Sequence, residues 1–171
     1  MKIRFKTPDE IQKDIALKKN TLQKKASYFL GFSVFILIFD LFTYIVALMM
    51  NLFDFGIFFE LFALAFAIIA ILKCNKGNFK STKNCIILSS LPIFILASFD
   101  TLETIVNIDI YLTKLFTGYV TITDLLAITL FLILLFNYIA FSCMKKIENQ
   151  QQVNAEISKD WFYEENWKLS L

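Results

Sequence analysis

Four long apolar segments limit what this 171-residue sequence can fold into. They cover residues 28–50, 55–72, 85–106 and 122–144, and each is close to the ~20 residues that an α-helix needs to cross a bilayer. Hydrophobic residues make up 57% of the chain and are gathered in these blocks, whereas a soluble domain spreads them periodically. The sequence therefore predicts an all-α integral membrane protein with four transmembrane helices in an antiparallel bundle.

The remaining residues are too few for a separate soluble domain. Residues 28–144 are expected to form one transmembrane domain, preceded by a basic amphipathic segment (1–27) and followed by a polar and aromatic tail (145–171). A capping box over residues 7–10, with proline in the first turn, predicts a cytoplasmic helix in the first segment. This helix either lies on the anionic cytoplasmic leaflet or is solvated and leads into the first span.

The third span and the loop after it carry two further signals. Pro92 removes a backbone donor inside the span and is expected to kink that helix. Beyond the span, apolar residues recur at helical spacing over residues 107–117, and Gly118 can end a helix there. We expect an amphipathic helix on the outer surface, with a structured loop as the alternative.

Basic residues are distributed unevenly between the two sides of the predicted membrane. Of the 17 lysines and arginines, all except Lys114 lie before the first span, between spans two and three, or after span four. Four crossings bring these three regions to the same side. Because Lys and Arg near span ends favour the cytoplasmic side, both termini of this multi-pass protein are expected to face the cytoplasm from the cell membrane.

The residue types that are missing exclude several functions. The chain has no histidine, which removes histidine-based triads, most zinc sites and haem ligation by histidine. Its three cysteines, Cys74, Cys85 and Cys143, fall at cytoplasmic span ends, where thiols stay reduced. No nucleophile is paired with a base. We therefore expect no enzyme activity, no cofactor, no metal centre and no nucleic-acid partner.

Five acidic residues lie inside the predicted spans, and one of them, Asp124, complements the helix dipole at the start of span four. The other four have no such role and lie away from the lysines. Asp40 is near the middle of span one, and Glu60 and Asp100 are ~5 Å and ~7 Å to the outer side of their span centres, at ~1.5 Å of rise per residue. Glu103 follows Asp100 by one turn. A charged carboxylate at mid-membrane costs at least ~2.5–3.5 kcal/mol. These acids need compensation, and no lysine or arginine lies at a matching depth.

Helical spacing predicts that these acids face one another. Each shares a helix face with small or polar residues, and polar faces in lipid turn toward the interior of the bundle. The sequence therefore predicts an acid-lined cavity in the outer half of the bundle. The candidate cation or proton site consists of six residues: Asp40, Thr43, Tyr44, Glu60, Asp100 and Glu103.

Two states of the predicted cavity are physically allowed. The carboxyl groups are either neutral hydrogen-bond donors that hold the helices together, or they are compensated by a cation, a proton supply or a basic partner helix. The leading hypothesis is that the acids bind or relay a cation, or receive a cationic substrate from the outer side. The alternative is a non-catalytic membrane subunit or scaffold, whose intramembrane polar residues and cytoplasmic ends contact partner proteins.

The cytoplasmic tail holds both tryptophans of the chain, which makes it a second candidate contact region. Trp161, Phe162, Tyr163 and Trp167 lie among acidic residues. Aromatic side chains of this kind either settle in the lipid headgroup zone or dock on a partner protein. We expect these four residues to be interfacial or to contact a partner.

Overall fold

The structure is a computed structural model, and it describes residues 8–49, 56–107 and 122–168. Its regular elements within these ranges are four α-helices: α1 (Pro8–Met49), α2 (Gly56–Asn75), α3 (Phe79–Val106) and α4 (Ile122–Lys168). Side chains are described over residues 10–45, 56–103, 105–107 and 127–153. Each helix contains a stretch that is long and apolar enough to cross a membrane. The predicted all-helical chain with four membrane-spanning helices is confirmed to this extent.

The helices are longer than the predicted spans, because hydropathy marks where lipid contact ends and not where helical hydrogen bonding ends. α1 begins at Pro8, in the first turn predicted for the N-terminal helix, and continues without a break through the first span. α4 likewise continues from the fourth span through most of the predicted tail. The predicted N-terminal helix is therefore the first part of α1 and not a separate element.

A tight turn joins α2 to α3 where hydropathy predicted a longer loop. Gly77 has a φ of 73°, a left-handed conformation that glycine adopts without strain. The amides of Gly77 and Asn78 donate to the carbonyls of Cys74 and Lys73 at 2.9 and 3.0 Å, the pattern of a Schellman C-cap. The Asn78 side chain then accepts from the amide of Ser81 and caps α3. The two helices therefore form a closely connected hairpin.

Two predictions for the third span have different outcomes. α3 continues as a helix through Pro92, so the proline does not end it, and the expected kink stays a prediction. The amide of Asn107 donates to the carbonyl of Glu103 at 3.0 Å where α3 ends. Apart from Asn107, the predicted outer-surface helix over 107–117 lies outside the described residues.

The core consists of two clusters of buried side chains. The lysine-end core, beside the α2–α3 turn, contains Ala26, Leu30, Ala70, Cys74, Phe79, Cys85, Ile86, Ala140, Cys143, Met144 and Ile147. The acid-end core, one turn from Asp40 and Glu60, contains Leu37, Ala63, Ala67, Ile93, Ala97, Leu130 and Ile133. Residue numbers rise from the first core to the second along α1 and α3 and fall along α2 and α4. Helices that follow one another in the chain therefore run antiparallel.

Buried positions recur with a seven-residue repeat, as they do in helices that pack side by side with a left-handed twist. The buried stripe of α1 contains Leu30, Ser33, Leu37 and Asp40, and that of α2 contains Glu60, Ala63, Ala67, Ala70 and Cys74. Small residues in the second stripe let the helix backbones approach closely. Large apolar side chains on the other faces stay exposed, as expected of surfaces that contact lipid.

Candidate functional site

Asp40 lies in the buried stripe of α1, and its side chain is completely buried. The hydroxyl of Thr129, on α4, interacts with the Asp40 carboxyl group. No hydrogen bond of standard geometry from the described residues reaches either carboxyl oxygen. A buried carboxylate with so little hydrogen bonding is unfavourable by several kcal/mol unless something neutralises its charge. The Asp40 carboxyl group therefore requires either protonation or a compensating cation.

Glu60 occupies the corresponding stripe of α2 and is also completely buried. It precedes Ala63 by one helical turn, and the hydroxyl of Ser89 donates to the Ala63 carbonyl at 2.9 Å. This buried hydrogen bond holds α3 against α2 close to the carboxyl group. The sequence predicted that Glu60 shares a helix face with small residues, and this face packs inside the bundle.

The two buried acids lie at about the same height in the bundle. Gln23 donates to the carbonyl of Cys74 at 2.7 Å, and Ser27 donates to the side chain of Asn75 at 3.3 Å, which fixes the register between α1 and α2. The two helices run antiparallel with the same rise per residue, so each step up α1 matches a step back along α2. Counted from the two contacts, Asp40 lies level with residues 57–62 of α2. That stretch contains the second buried carboxyl group.

The other two predicted acids are less enclosed. Asp100 is half-buried and Glu103 is exposed. The buried stripe of α3 runs through Ile93 and Ala97 to Asp100, and its repeat then skips Glu103, which lies to one side of the stripe. The described part of the chain contains no group of three or more acidic or cysteine side chains arranged to bind a metal ion. The structure thus brings two of the four acids into the interior.

The predicted hydroxyl partners on span one, Thr43 and Tyr44, are half-buried. The Thr43 hydroxyl donates to the carbonyl of Phe39 at 3.2 Å, within its own helix. The hydroxyl that interacts with Asp40 belongs instead to Thr129. Sequence reasoning missed this residue because it lies on another helix, and only the packing of α1 against α4 brings it to the carboxyl group.

A second polar contact links α3 to α4. The Ser90 hydroxyl donates to the carbonyl of Ile86 at 2.8 Å, so its oxygen is left to accept the side-chain NH₂ of Asn137 at 3.0 Å. With its NH₂ group bonded to Ser90, Asn137 has its amide oxygen pointing away from Ser90, and no donor from the described residues reaches that oxygen. The contact joins the two helices by one hydrogen bond of the kind that holds membrane helices together.

The four aromatic residues of the tail lie in α4, but their surroundings are outside the described side chains. Trp161, Phe162, Tyr163 and Trp167 all fall between residues 154 and 168, where only the helical backbone is described. Their predicted role at the membrane surface or on a partner protein stays a prediction.

No protein-family model, curated protein or solved structure matches this chain. A functional assignment therefore depends on what the described residues can do chemically. The clearest chemical feature is a pair of fully buried carboxyl groups at one height, one on each of two adjacent helices.

Proposed function

We propose that this chain is a multi-pass protein of the cell membrane in which Asp40 and Glu60 bind one small cation taken from the outer side. The cation is a proton or a monovalent metal ion. Ca²⁺ takes six to eight oxygen ligands and Mg²⁺ requires near-ideal octahedral geometry, whereas the buried site offers two carboxyl groups and one hydroxyl. Both termini are cytoplasmic in this proposal, as the lysine distribution favours.

The observation that carries the proposal is the burial of two acids without a buried base. The buried polar residues in the described part of the chain are Ser33, Asp40, Glu60, Thr82, Ser89 and Asn137. None of them is a lysine or an arginine. Two carboxylates at one height would repel each other and would both lack hydration. A single cation between them offsets both effects, which supports cation binding over a permanently charged pair.

Two further acids support an approach from the outer side. Asp100 and Glu103 lie past the acid-end core along α3, the first half-buried and the second exposed. Carboxyl groups in this order favour the entry of a positive ion, because each carboxyl group raises the local concentration of the ion beside the next carboxyl group inward. In this proposal Glu103 attracts the cation, Asp100 passes it inward, and Asp40 with Glu60 holds it.

The alternative, in which the intramembrane acids meet basic residues of another membrane protein, is less well supported. The side chains of Asp40 and Glu60 are fully enclosed by the helices of their own chain. A partner residue would reach them only after α1 and α2 had separated. The part of that alternative that concerns cytoplasmic contacts is not affected by this argument.

Cation binding can be tested by thermal unfolding of the purified protein in detergent or nanodiscs. A cation that binds only the folded state stabilises it by ~2.7 kcal/mol when its concentration reaches about 100 times the dissociation constant. We expect Na⁺, K⁺ or acid to raise the melting temperature of the wild type. Asp40→Asn and Glu60→Gln should each remove that response.

The matched control is Asp14→Asn, because it removes an exposed acid that lies at the other end of α1 from Asp40. This variant should keep the cation response of the wild type. A proton as the ligand would also give an infrared band of a protonated carboxylic acid that Asp40→Asn or Glu60→Gln removes. Two results together would contradict the proposal. The wild type would lack the infrared band, and its cation response would be the same as that of Asp40→Asn and Glu60→Gln.

The orientation can be tested with an engineered thiol. The native cysteines Cys74, Cys85 and Cys143 are all buried, so they give a low background. Lys76 is exposed on the α2–α3 turn, and Lys76→Cys should react with a membrane-impermeant maleimide only after the cells are permeabilised. Labelling in intact cells would place this turn, and with it both termini, outside.

A further inference from the structure

The α1 and α4 helices extend beyond the α2–α3 turn, and a groove of about 480 Å³ opens between the two extensions. Ile11, Ile15 and Lys18 line it from α1, and Gln150 and Val153 line it from α4. Neither α2 nor α3 contributes a lining residue. We call this feature the stalk groove.

At the level of the stalk groove, the described residues form two helices side by side instead of four. α2 ends near the hydrogen bond between Gln23 and the carbonyl of Cys74. The α1 residues that line the groove lie ~7–18 Å beyond this level, at ~1.5 Å of rise per residue. The seven-residue repeat of α1 continues into this region through Leu22, Lys19 and Ile15, all half-buried. The α1 face that packs against α2 and α4 inside the membrane therefore has only α4 beside it in the described part of the stalk.

The lining of the groove is suited to covering by another protein segment. Ile11 is 46% exposed and Val153 is 52% exposed, in a part of the chain whose lysines keep it outside the hydrocarbon layer. The side-chain oxygen of Gln150 is buried, and no hydrogen-bond donor from the described residues reaches it. An occupant that covers the apolar residues would remove their exposure to water, and a turn of the Gln150 side chain would let its oxygen accept a hydrogen bond from that occupant.

The charge around the groove selects the chemistry of the occupant. Lys18 lines the groove, and the ammonium group of Lys19 lies 5.2 Å from the ring centroid of Phe79, at the start of α3. Lys76 and Lys80 are exposed on and beside the α2–α3 turn. Asp14 offsets Lys18 within the lining. Over residues 10–25 of α1, two acidic residues face five lysines, so the surroundings of the groove are positive overall.

We infer that the stalk groove binds an acidic amphipathic helix of a cytoplasmic partner protein. An apolar face with i, i+3, i+4 spacing would cover Ile11, Ile15 and Val153, as amphipathic helices do in grooves of this kind. Acidic residues beside that face would meet the lysines. The chain's own first seven residues have the wrong charge for this role, since they contain Lys2, Arg4 and Lys6. A flat anionic leaflet matches the lysines but does not fill a groove.

The test uses the full-length protein in nanodiscs of zwitterionic lipid. The probe is a fluorescent helical peptide of about five turns (~18 residues), with leucines at i, i+3, i+4 and i+7 and glutamates beside them. Fluorescence anisotropy should show saturable binding that weakens with salt, and empty nanodiscs provide the blank. The same peptide with lysines in place of the glutamates should bind at least about tenfold more weakly.

Two substitutions in α1 separate the groove from its surroundings. Ile15→Asp puts a charge on the groove lining and should weaken binding of the acidic peptide at least about tenfold. Leu17→Asp is the matched control, because Leu17 is 68% exposed and does not line the groove. This control should change the affinity less than about threefold. Circular dichroism and the melting temperature show whether both variants fold.

Three results would overturn the inference. The first is equal binding of the acidic and basic peptides, and the second is an equal loss of affinity in Ile15→Asp and Leu17→Asp. The third is competition by phosphatidylserine vesicles as strong as that by unlabelled peptide, which would identify a lipid surface as the occupant. Cation binding at Asp40 and Glu60 is a separate proposal, and none of these three results bears on it.

Discussion

The two ends of the bundle are built in different ways. At the lysine end, the core includes large side chains such as Phe79, Met144 and Ile147, and hydrogen bonds from Gln23 and Ser27 tie α1 to the end of α2. At the acid end, the core is smaller and aliphatic, with three alanines beside four larger side chains, and it lies one turn from two buried carboxyl groups. One end contains a larger core with hydrogen bonds between helices, and the other contains buried carboxyl groups that cost stability when they are charged.

This difference separates the end that stabilises the fold from the end that contains the proposed cation site. A capped turn and interhelical contacts fix the heights of α1, α2 and α3 at the lysine end. The acid end follows from that arrangement, because helices are rigid over the distance between the two cores. Contacts at the lysine end therefore help to keep Asp40 and Glu60 inside the bundle, together with the Thr129 hydroxyl and the hydrogen bond from Ser89 close by.

The largest effect that we predict tests whether the lysine end contributes more to stability. Leu30→Ala removes a completely buried side chain from the lysine-end core and should lower the free energy of unfolding by about 2–4 kcal/mol. Leu37→Ala, in the acid-end core, should cost less, because this core is smaller and fewer buried side chains lose contacts. Chemical unfolding in detergent measures both.

The control for this pair is Phe35→Ala on the same helix. Phe35 is 69% exposed, so its truncation leaves no internal cavity and should change the free energy of unfolding by less than about 0.5 kcal/mol. Equal losses for Leu30→Ala and Leu37→Ala would mean that the two ends do not differ in their contribution to stability.

The next prediction concerns the close approach of helices at the acid end. Ala67→Leu adds volume where the alanine is completely buried, and it should destabilise the protein by about 1–3 kcal/mol. Ala65→Leu makes the same change two residues away, where the alanine is exposed, and should be nearly neutral. A similar melting temperature for both variants would show that α2 does not approach its neighbours as closely as its small residues imply.

The sequence was sufficient to predict most of the fold, because each apolar block has the length of a span and alanines mark the packing face of α2. It also predicted that Asp40 and Glu60 lie on faces that turn inward, and both side chains are completely buried in the structure. Glu103 shows the limit of that reasoning. It was grouped with Asp100 by one turn of spacing, yet the seven-residue repeat of the buried stripe leaves it exposed.

Contacts between helices were harder to predict than faces of helices. Thr129 meets Asp40 only because α4 packs against α1, and no pattern within one segment encodes that register. The ends of the helices were missed for another reason. Hydropathy follows the lipid boundary, whereas α2 ends at the left-handed Gly77 and α3 begins at the Asn78 cap. Local turn chemistry decides such boundaries.

A smaller predicted effect compares two serine hydroxyls in α3. Ser89 donates to the carbonyl of Ala63 on α2 at 2.9 Å, and the contact is buried. Ser89→Ala should therefore cost about 0.5–1.5 kcal/mol. Ser98→Ala is the control, since Ser98 donates to the carbonyl of Phe94 in its own helix, and this change should be within about 0.5 kcal/mol of the wild type. Unfolding at equilibrium distinguishes the two, and a loss in Ser98→Ala as large as in Ser89→Ala would contradict a special role for the interhelical bond.

The smallest effect is expected from the ion pair between Lys83 of α3 and Glu148 of α4. Their side chains are 18% and 32% exposed, so water and salt weaken the attraction and little of it remains as net stability. In a double-mutant cycle with Lys83→Gln and Glu148→Gln, we expect a coupling free energy of about 0.2–1 kcal/mol that decreases as salt is added. The exposed Lys80, replaced by Gln, should show no coupling to Glu148. A coupling well above this range would mean that one ion pair, and not the packing of large side chains, accounts for the stability of the lysine end.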